Sequence, residues 1–274
     1  MGLRIQNNVE AFNAHRNLST VSSNAAKSME KLSSGYRINR AADDAAGLAI
    51  SEKMRSQIGG VDQAQRNAQD GVSLVQTGEG ALNEVTSMLQ RVRDLKVQFS
   101  NGTLSSDDKD AIAKEMAQLG TEIKDISTQT KFNGTALLDG TNVTFQVGAA
   151  TGETIQTTGY NLSGTGGASA VVALSGATAS AGVSSLTLDQ VDEAIKSVST
   201  ARAGFGAIQN RLEHRLNNLA TYQENLVASE SRIRDVDMAA EMVNFTKLQI
   251  LQQAGTSMLA QANQAPQGVL SLLR

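Results

Sequence analysis

The chain has 274 residues, no cysteine, two histidines and a formal charge of −3. Disulfides, thiolate nucleophiles and zinc–thiolate centres are therefore excluded, and a slightly acidic chain with no basic cluster argues against nucleic acid as a partner. Apolar residues make up 40% of the chain but aromatic residues only 3%, with no tryptophan, so the buried area must come from Ala, Leu, Val, Ile and Met, which suit long helices.

Taken in chain order, the first predicted element is an amphipathic helix. Ile5, Val9 and Phe12 fall on one face, followed by Leu18, Val21, Ala25, Met29 and Leu32. The opening MGLRIQNNVE lacks the basic and apolar regions of a signal peptide. No run approaches the roughly 18 apolar residues of a spanning helix, so no membrane partner is expected. Asp43 and Asp44 are adjacent carboxylates at a helix start, and capping is the preferred reading.

From Asp44 to Ser100 a heptad pattern predicts one long helix. Val75, Leu82 and Leu89 are spaced by seven, as are Gly78, Val85, Val92 and Phe99. Backward, the seam passes through Met54, Val61, Ala64, Ala68 and Gly71, where small residues admit a partner helix closely. Ser105–Asp108, SSDD, supplies capping and acidic side chains for a shorter helix carrying Ile112, Met116, Leu119, Ile123 and Ile126. Two turn dipeptides follow, Asn133-Gly134 and Asp139-Gly140. Val143, Phe145 and Val147 then alternate, predicting a β-hairpin near 141–158.

Residues 154–188 carry no charge and are rich in Gly, Ser, Ala and Thr. A flexible tip and a small packed loop are both compatible with that composition; lacking helical periodicity, residues 160–185 are expected to tolerate deletion. The partner of the long helix lies beyond, where Val198, Phe205, Leu212, Leu219, Leu226 and Ile233 repeat every seven residues. Ala201, Ile208, Tyr222 and Val236 occupy much of a second seam. The last helix carries Met238, Met242, Phe245, Leu248, Leu251, Met258 and Ala262 as a stripe, and the chain closes on VLSLLR, with Leu270, Leu272 and Leu273.

The predicted fold is mainly α. The N- and C-terminal halves form a long antiparallel heptad-helix rod, with a small β-hairpin region and a short variable tip. Residues 1–43 with 234–274 would form a terminal-helix domain, and residues 44–153 with 189–233 the rod. No catalytic constellation stands out: His15 and His214 belong to no H-E-x-x-H pair, and SGTGGAS is not followed by the Gly-Lys-Ser/Thr of a phosphate loop. No enzyme, metal or cofactor is expected.

Two stretches carry a family resemblance. EKLSSGYRINRAADDAAGLAIS, Glu30–Ser51, resembles the N-terminal segment of bacterial flagellins, and ESRIRDVDMAAEM, Glu230–Met242, the matching C-terminal segment. LQRVRDLKVQ, FNGTALLDG and the terminal QANQAPQGVLSLLR fit the same family in the same order. The resemblance implies a structural subunit that polymerises into the extracellular flagellar filament for swimming. It would be exported through the flagellar type III channel without a cleaved signal peptide, with an export chaperone and a cap protein as partners. The terminal helices would line the inner tube and fold on assembly.

The assembly interface expected on that basis is Ile5, Val9, Phe12, Leu18, Val21, Met242, Phe245, Leu251, Met258, Leu270, Leu272 and Leu273. The family also implies a surface gripped by innate immune receptors of animals, matched here by Arg91, Leu95, Gln98 and Glu115. Glu30–Ser51 matches a segment sensed by a plant receptor kinase, and the terminal leucines match one sensed by a cytosolic receptor. Rival readings are a hook–filament junction protein and a secreted membrane-active helical protein.

Overall fold

The structure is a computed structural model that describes residues 8–164, 167–175 and 180–272, with the side chains of 167–168, 180–181 and 265–272 excepted. Seven helices and four short strands occur among the described residues: α1 (Val9–Ser34), α2 (Ala45–Phe99), α3 (Ser106–Gln129), β1 (Lys131–Phe132), β2 (Thr135–Ala136), β3 (Thr144–Gln146), β4 (Thr154–Gln156), α4 (Gly167–Val172), α5 (Ser180–Ser184), α6 (Leu188–Arg234) and α7 (Met238–Leu272). They fall into two compact units. Unit 1 is Met1–Ser56 with Asn225–Arg274, and unit 2 is Gln57–Glu224.

In unit 2 the heptad positions do what their spacing predicts. Val61, Ala64, Ala68, Val75, Leu82, Val85, Leu89 and Val92 of α2 are buried, as are Val191, Ala194, Val198, Phe205, Ile208, Leu212 and Leu219 of α6. The pairing is antiparallel, because Gly71 lies beside Leu212 while Gly78 lies beside Phe205. A Cβ added at Gly78 would sit 3.2 Å from the Phe205 ring, and one at Gly71 would sit 3.2 Å from a Leu212 methyl. Ion pairs Arg93–Asp192 (2.7 Å) and Arg202–Glu79 (2.7 Å) flank the seam in the same register.

The second seam departs from expectation at Tyr222, which is 43% exposed. Its heptad predecessor is Arg215, which leaves the seam to donate to the Val147 carbonyl (2.9 Å) and to pair with Glu153 (2.9 Å). Next to Tyr222 a polar contact stands beside the buried Leu219, Gln65 donating to Gln223 at 2.8 Å.

The shorter helix starts at a capping box. Ser105 Oγ accepts from the Asp108 N–H, and the Asp108 carboxylate accepts from the Ser105 N–H. Ile112, Met116 and Ile123 are buried, with Leu119 and Ile126 packed beside them. Asn133 (φ 47°) and Gly134 (φ 83°) both take positive φ between β1 and β2, as a two-residue hairpin requires. The predicted second hairpin is present, with Phe145 opposite Ile155 and Gln146 opposite Thr154.

The uncharged segment is packed rather than loose where it is described. Leu162, Val171, Leu174, Val183 and Leu186 are buried in the same core as α2, α3 and α6. Gly120 lets α4 approach α3, since a Cβ there would meet the Val171 carbonyl at 2.8 Å. Short apolar side chains without charge are what a tight seat against α3 requires. The expected tolerance of 160–185 to deletion is therefore corrected by burial that composition alone does not reveal.

Candidate assembly surface

Unit 1 is built differently. Its helices α1 and α7 pack on one another, yet its only buried apolar residues among those described are Ala25, Ile38 and Leu226. Conversely, among the described residues all the exposed large apolar side chains except Val97 and Tyr222 belong to unit 1. An amphipathic helix pair that leaves its large side chains in water is an incomplete core.

The helix starts and stops are set locally. Asn8 caps α1, its Oδ1 accepting from the Ala11 N–H at 3.0 Å, while its Nδ2 donates to the Ala262 carbonyl of α7 at 2.7 Å. Gly35 ends α1 in the left-handed region (φ 75°), its N–H donating to the Lys31 carbonyl. Asp43 accepts from the Asn39 and Arg40 N–H groups, which hold its carboxyl below the usual range. Asp44 accepts from the Gly47 N–H at 2.9 Å and caps α2, whereas Asp43 closes the turn before it, so the capping expectation holds for Asp44 alone.

The links on either side meet in a clasp. Arg37 donates to the carbonyls of Ile233 (2.6 Å) and Arg234 (2.7 Å), and the Val236 N–H donates to the Gly35 carbonyl (3.0 Å). The Arg234 side chain, 12% exposed, pairs with Glu52 at 2.6 Å and lies 4.9 Å over the Tyr36 ring. Sequence reasoning missed this clasp. Arg234 and Tyr36 are 198 residues apart, and no pattern in the chain links them.

A groove of about 780 Å³ runs between α1 and α7, lined by Leu18, Val21, Leu251, Gly255, Met258 and Ala262 among others. At its floor Gly255 approaches Leu18, where an added Cβ would sit at 3.1 Å. Of the residues expected at the interface, Val9, Phe12, Met242, Leu251 and Met258 are exposed, Phe12 by 70%. Leu18, Val21 and Phe245 are half-buried, turned partly toward the opposing helix. Ile5 and Leu273 lie outside the described residues, as do the side chains of Leu270 and Leu272.

The second expected surface is brought together in part. Arg91 pairs with Glu115 through two hydrogen bonds of 2.6 and 2.9 Å, and both side chains remain largely in water. Gln98 is exposed. Leu95 is corrected: at 2% exposure it is part of the core, because α3 and the α4–α5 segment cover the side of α2 that a two-helix seam would leave open. Next to it Lys96 is buried, donating to the Val183 carbonyl at 3.0 Å and lying 5.0 Å from the Phe99 ring centre. Burial pushes its pKa down.

Among the described residues no group of acidic or histidine side chains is placed to hold a metal, and no helix is long and apolar enough to cross a membrane. Residues 5–143 match the bacterial flagellin N-terminal helical region and residues 188–273 the bacterial flagellin C-terminal helical region. The chain is 54% identical to a flagellin of Halalkalibacterium halodurans, over 98% of this chain and 99% of that one. It is 50% identical to a flagellin of Bacillus subtilis, over 99% and 100%. A putative flagellar hook-associated protein from Vibrio parahaemolyticus shares the fold, with a TM-score of 0.58 at 16% identity over 70% of this chain and all of that one. With both helical regions matched in order and half or more of the residues identical along whole relatives, this chain belongs to the bacterial flagellin family.

Proposed function

We propose that this flagellin polymerises through the exposed apolar faces of α1 and α7, with Val9, Phe12, Leu18, Val21, Met242, Phe245, Leu251 and Met258 in the subunit contact and Ile5, Leu270, Leu272 and Leu273 extending it. As a member of its family the chain is a structural protein of the extracellular flagellar filament and not an enzyme. The observation that carries the interface reading is the contrast between units: unit 2 buries most of its large apolar side chains, and unit 1 fully buries only Ala25, Ile38 and Leu226 among its described apolar residues. Identical subunits meeting through a non-closing contact build a helical fibre.

The domain reading follows from the same contrast. Residues 1–43 with 234–274 form the inner-tube part and fold fully on assembly, which keeps the free subunit soluble. Residues 44–153 with 189–233 form the outer helical part, and 154–188 is a covered, variable insert in it. An export chaperone that masks the terminal leucines, and a cap protein at the growing end, complete the assembly, with export proceeding without a cleaved signal peptide. The innate-receptor surface reduces to Arg91, Gln98 and Glu115, because Leu95 is covered. Full-length relatives named as flagellins favour the filament subunit over a hook–filament junction protein.

The test is seeded elongation of purified subunits. Phe12→Ser removes an exposed side chain with little packing inside the subunit. Its elongation is expected to fall steeply while thermal melting of unit 2 is unchanged. Wild-type elongation by this variant would overturn the interface.

A further inference from the structure

Eight methionines and no cysteine make thioethers the chain's only sulfur. Their exposure is uneven. Met29 (53%), Met238 (48%), Met242 (49%) and Met258 (65%) stand in water, all in unit 1, whereas Met116 in unit 2 is at 0%. Met258 also lines the α1–α7 groove beside Leu18, Val21, Leu251 and Gly255.

We propose that the exposed methionines of unit 1, Met258 foremost, form an oxidation site for two-electron oxidants of the peroxide class, and that the oxidised subunit is excluded from the filament until it is reduced. The oxidation needs only the thioether and the oxidant: the sulfur lone pair attacks one peroxide oxygen, an S–O bond forms as the O–O bond breaks, and the other oxygen takes the first one's proton and leaves as water. The sulfur loses two electrons and the peroxide gains them. The return step needs a dithiol reductant, which gives two electrons and two protons, removes the oxygen as water and leaves as a disulfide.

The product is a polar sulfoxide where an apolar, adaptable side chain stood. In a free subunit the new oxygen remains hydrated, so folding is untouched. On docking against another copy it leaves water in a groove where Leu18, Val21 and Leu251 lie beside the amides of Asn13, Asn17 and Gln261, and a sulfoxide oxygen left unpaired against the apolar lining is strongly unfavourable. The modification is therefore silent in the subunit and expressed at incorporation. This rests on the assembly reading above.

The experiment treats the full-length subunit with dilute hydrogen peroxide, maps each methionine by peptide mass spectrometry, and measures seeded elongation and melting. Met258 and Met242 are expected to oxidise about tenfold faster than Met116. Elongation should drop about tenfold or more with unchanged melting of unit 2. Methionine sulfoxide reductase should restore it. The combined variant Met29→Leu, Met238→Leu, Met242→Leu and Met258→Leu, a volume-conserving change, should elongate equally before and after peroxide. If that variant does not elongate untreated, reversal by the reductase decides. Equal oxidation of Met116, undiminished elongation of the sulfoxide form, or failure of the reductase to restore growth overturns the proposal. Undiminished elongation of the sulfoxide form while Phe12→Ser fails leaves the assembly reading intact; normal elongation by Phe12→Ser removes that reading itself.

Discussion

At the scale of single residues, Lys96 shows how burial links charge to stability. Its ammonium has the Val183 carbonyl and the Phe99 ring as neighbours, and its pKa is lowered by desolvation from an ordinary 10.5. Below the lowered value Lys96 is charged in both folded and unfolded chains, and the buried charge weakens folding. Between that value and 10.5 the unfolded chain binds more protons, so stability rises with pH in that window. Thermal melting followed as pH rises toward 10.5 should show the wild type gaining on Lys96→Met. Parallel curves would mean that the ammonium is solvated. Glu153 has the opposite sign. Its carboxylate accepts from the Ala150 N–H and pairs with Arg215, which lower its pKa from 4.5. Its contribution is present above that value and lost as pH falls through the folded pKa. Glu153→Gln should therefore flatten the acid limb of the melting curve, and an unchanged limb would remove Glu153 from the acid response.

At the scale of elements, the α2–α6 seam combines small and large residues, and the two respond differently to substitution. Leu82 is fully buried, so Leu82→Ala should cost about 2–5 kcal/mol in a melting experiment. Gly78 has only the space that Phe205 leaves. Gly78→Leu overpacks it, at a cost of about 1–3 kcal/mol, and should also change filament curvature in electron micrographs. Normal melting with unchanged curvature would show that α6 yields at this point. The α4–α5 segment carries the same logic into a stretch with no periodicity. Leu174 is 4% exposed against α3, so Leu174→Ala should cost about 2–5 kcal/mol, where a loose tip would lose nothing.

At the scale of the whole molecule, the two units divide stability from assembly. Unit 2 closes a core around α2, α3 and α6, while unit 1 exposes most of the large apolar side chains in water, the face proposed above as the contact with other copies. Deleting Gly268–Arg274 should therefore leave unit 2 melting unchanged and abolish or slow seeded elongation. Each leucine fully buried at an interface is worth about 1.5–3 kcal/mol, and every added subunit repeats the loss. Elongation at the wild-type rate by the truncated chain would show that the terminal leucines lie outside the contact.

Much of this architecture was legible from the sequence because its determinants are periodic or local. A repeat of seven specifies α2 and α6 wherever they lie in space, and SSDD caps α3 through hydrogen bonds spanning three residues. Asn133-Gly134 turns a hairpin because those two residues accept positive φ. The exposed stripe at Val9, Phe12, Met242 and Met258 was legible for the same reason: periodicity marks an apolar face without saying what covers it. Only the tertiary structure decided what covers each face. Leu95, expected on an exposed surface, is core, in one apolar cluster with residues of α3 and of the α4–α5 segment. Arg215 occupies a seam position and leaves it because the Val147–Glu153 turn offers a carbonyl and a carboxylate. Tyr36, Glu52 and Arg234 meet through chain reversals that no local pattern encodes. Helix-forming spacing is a property of neighbours along the chain, whereas burial depends on which distant segments arrive, and that was settled by packing.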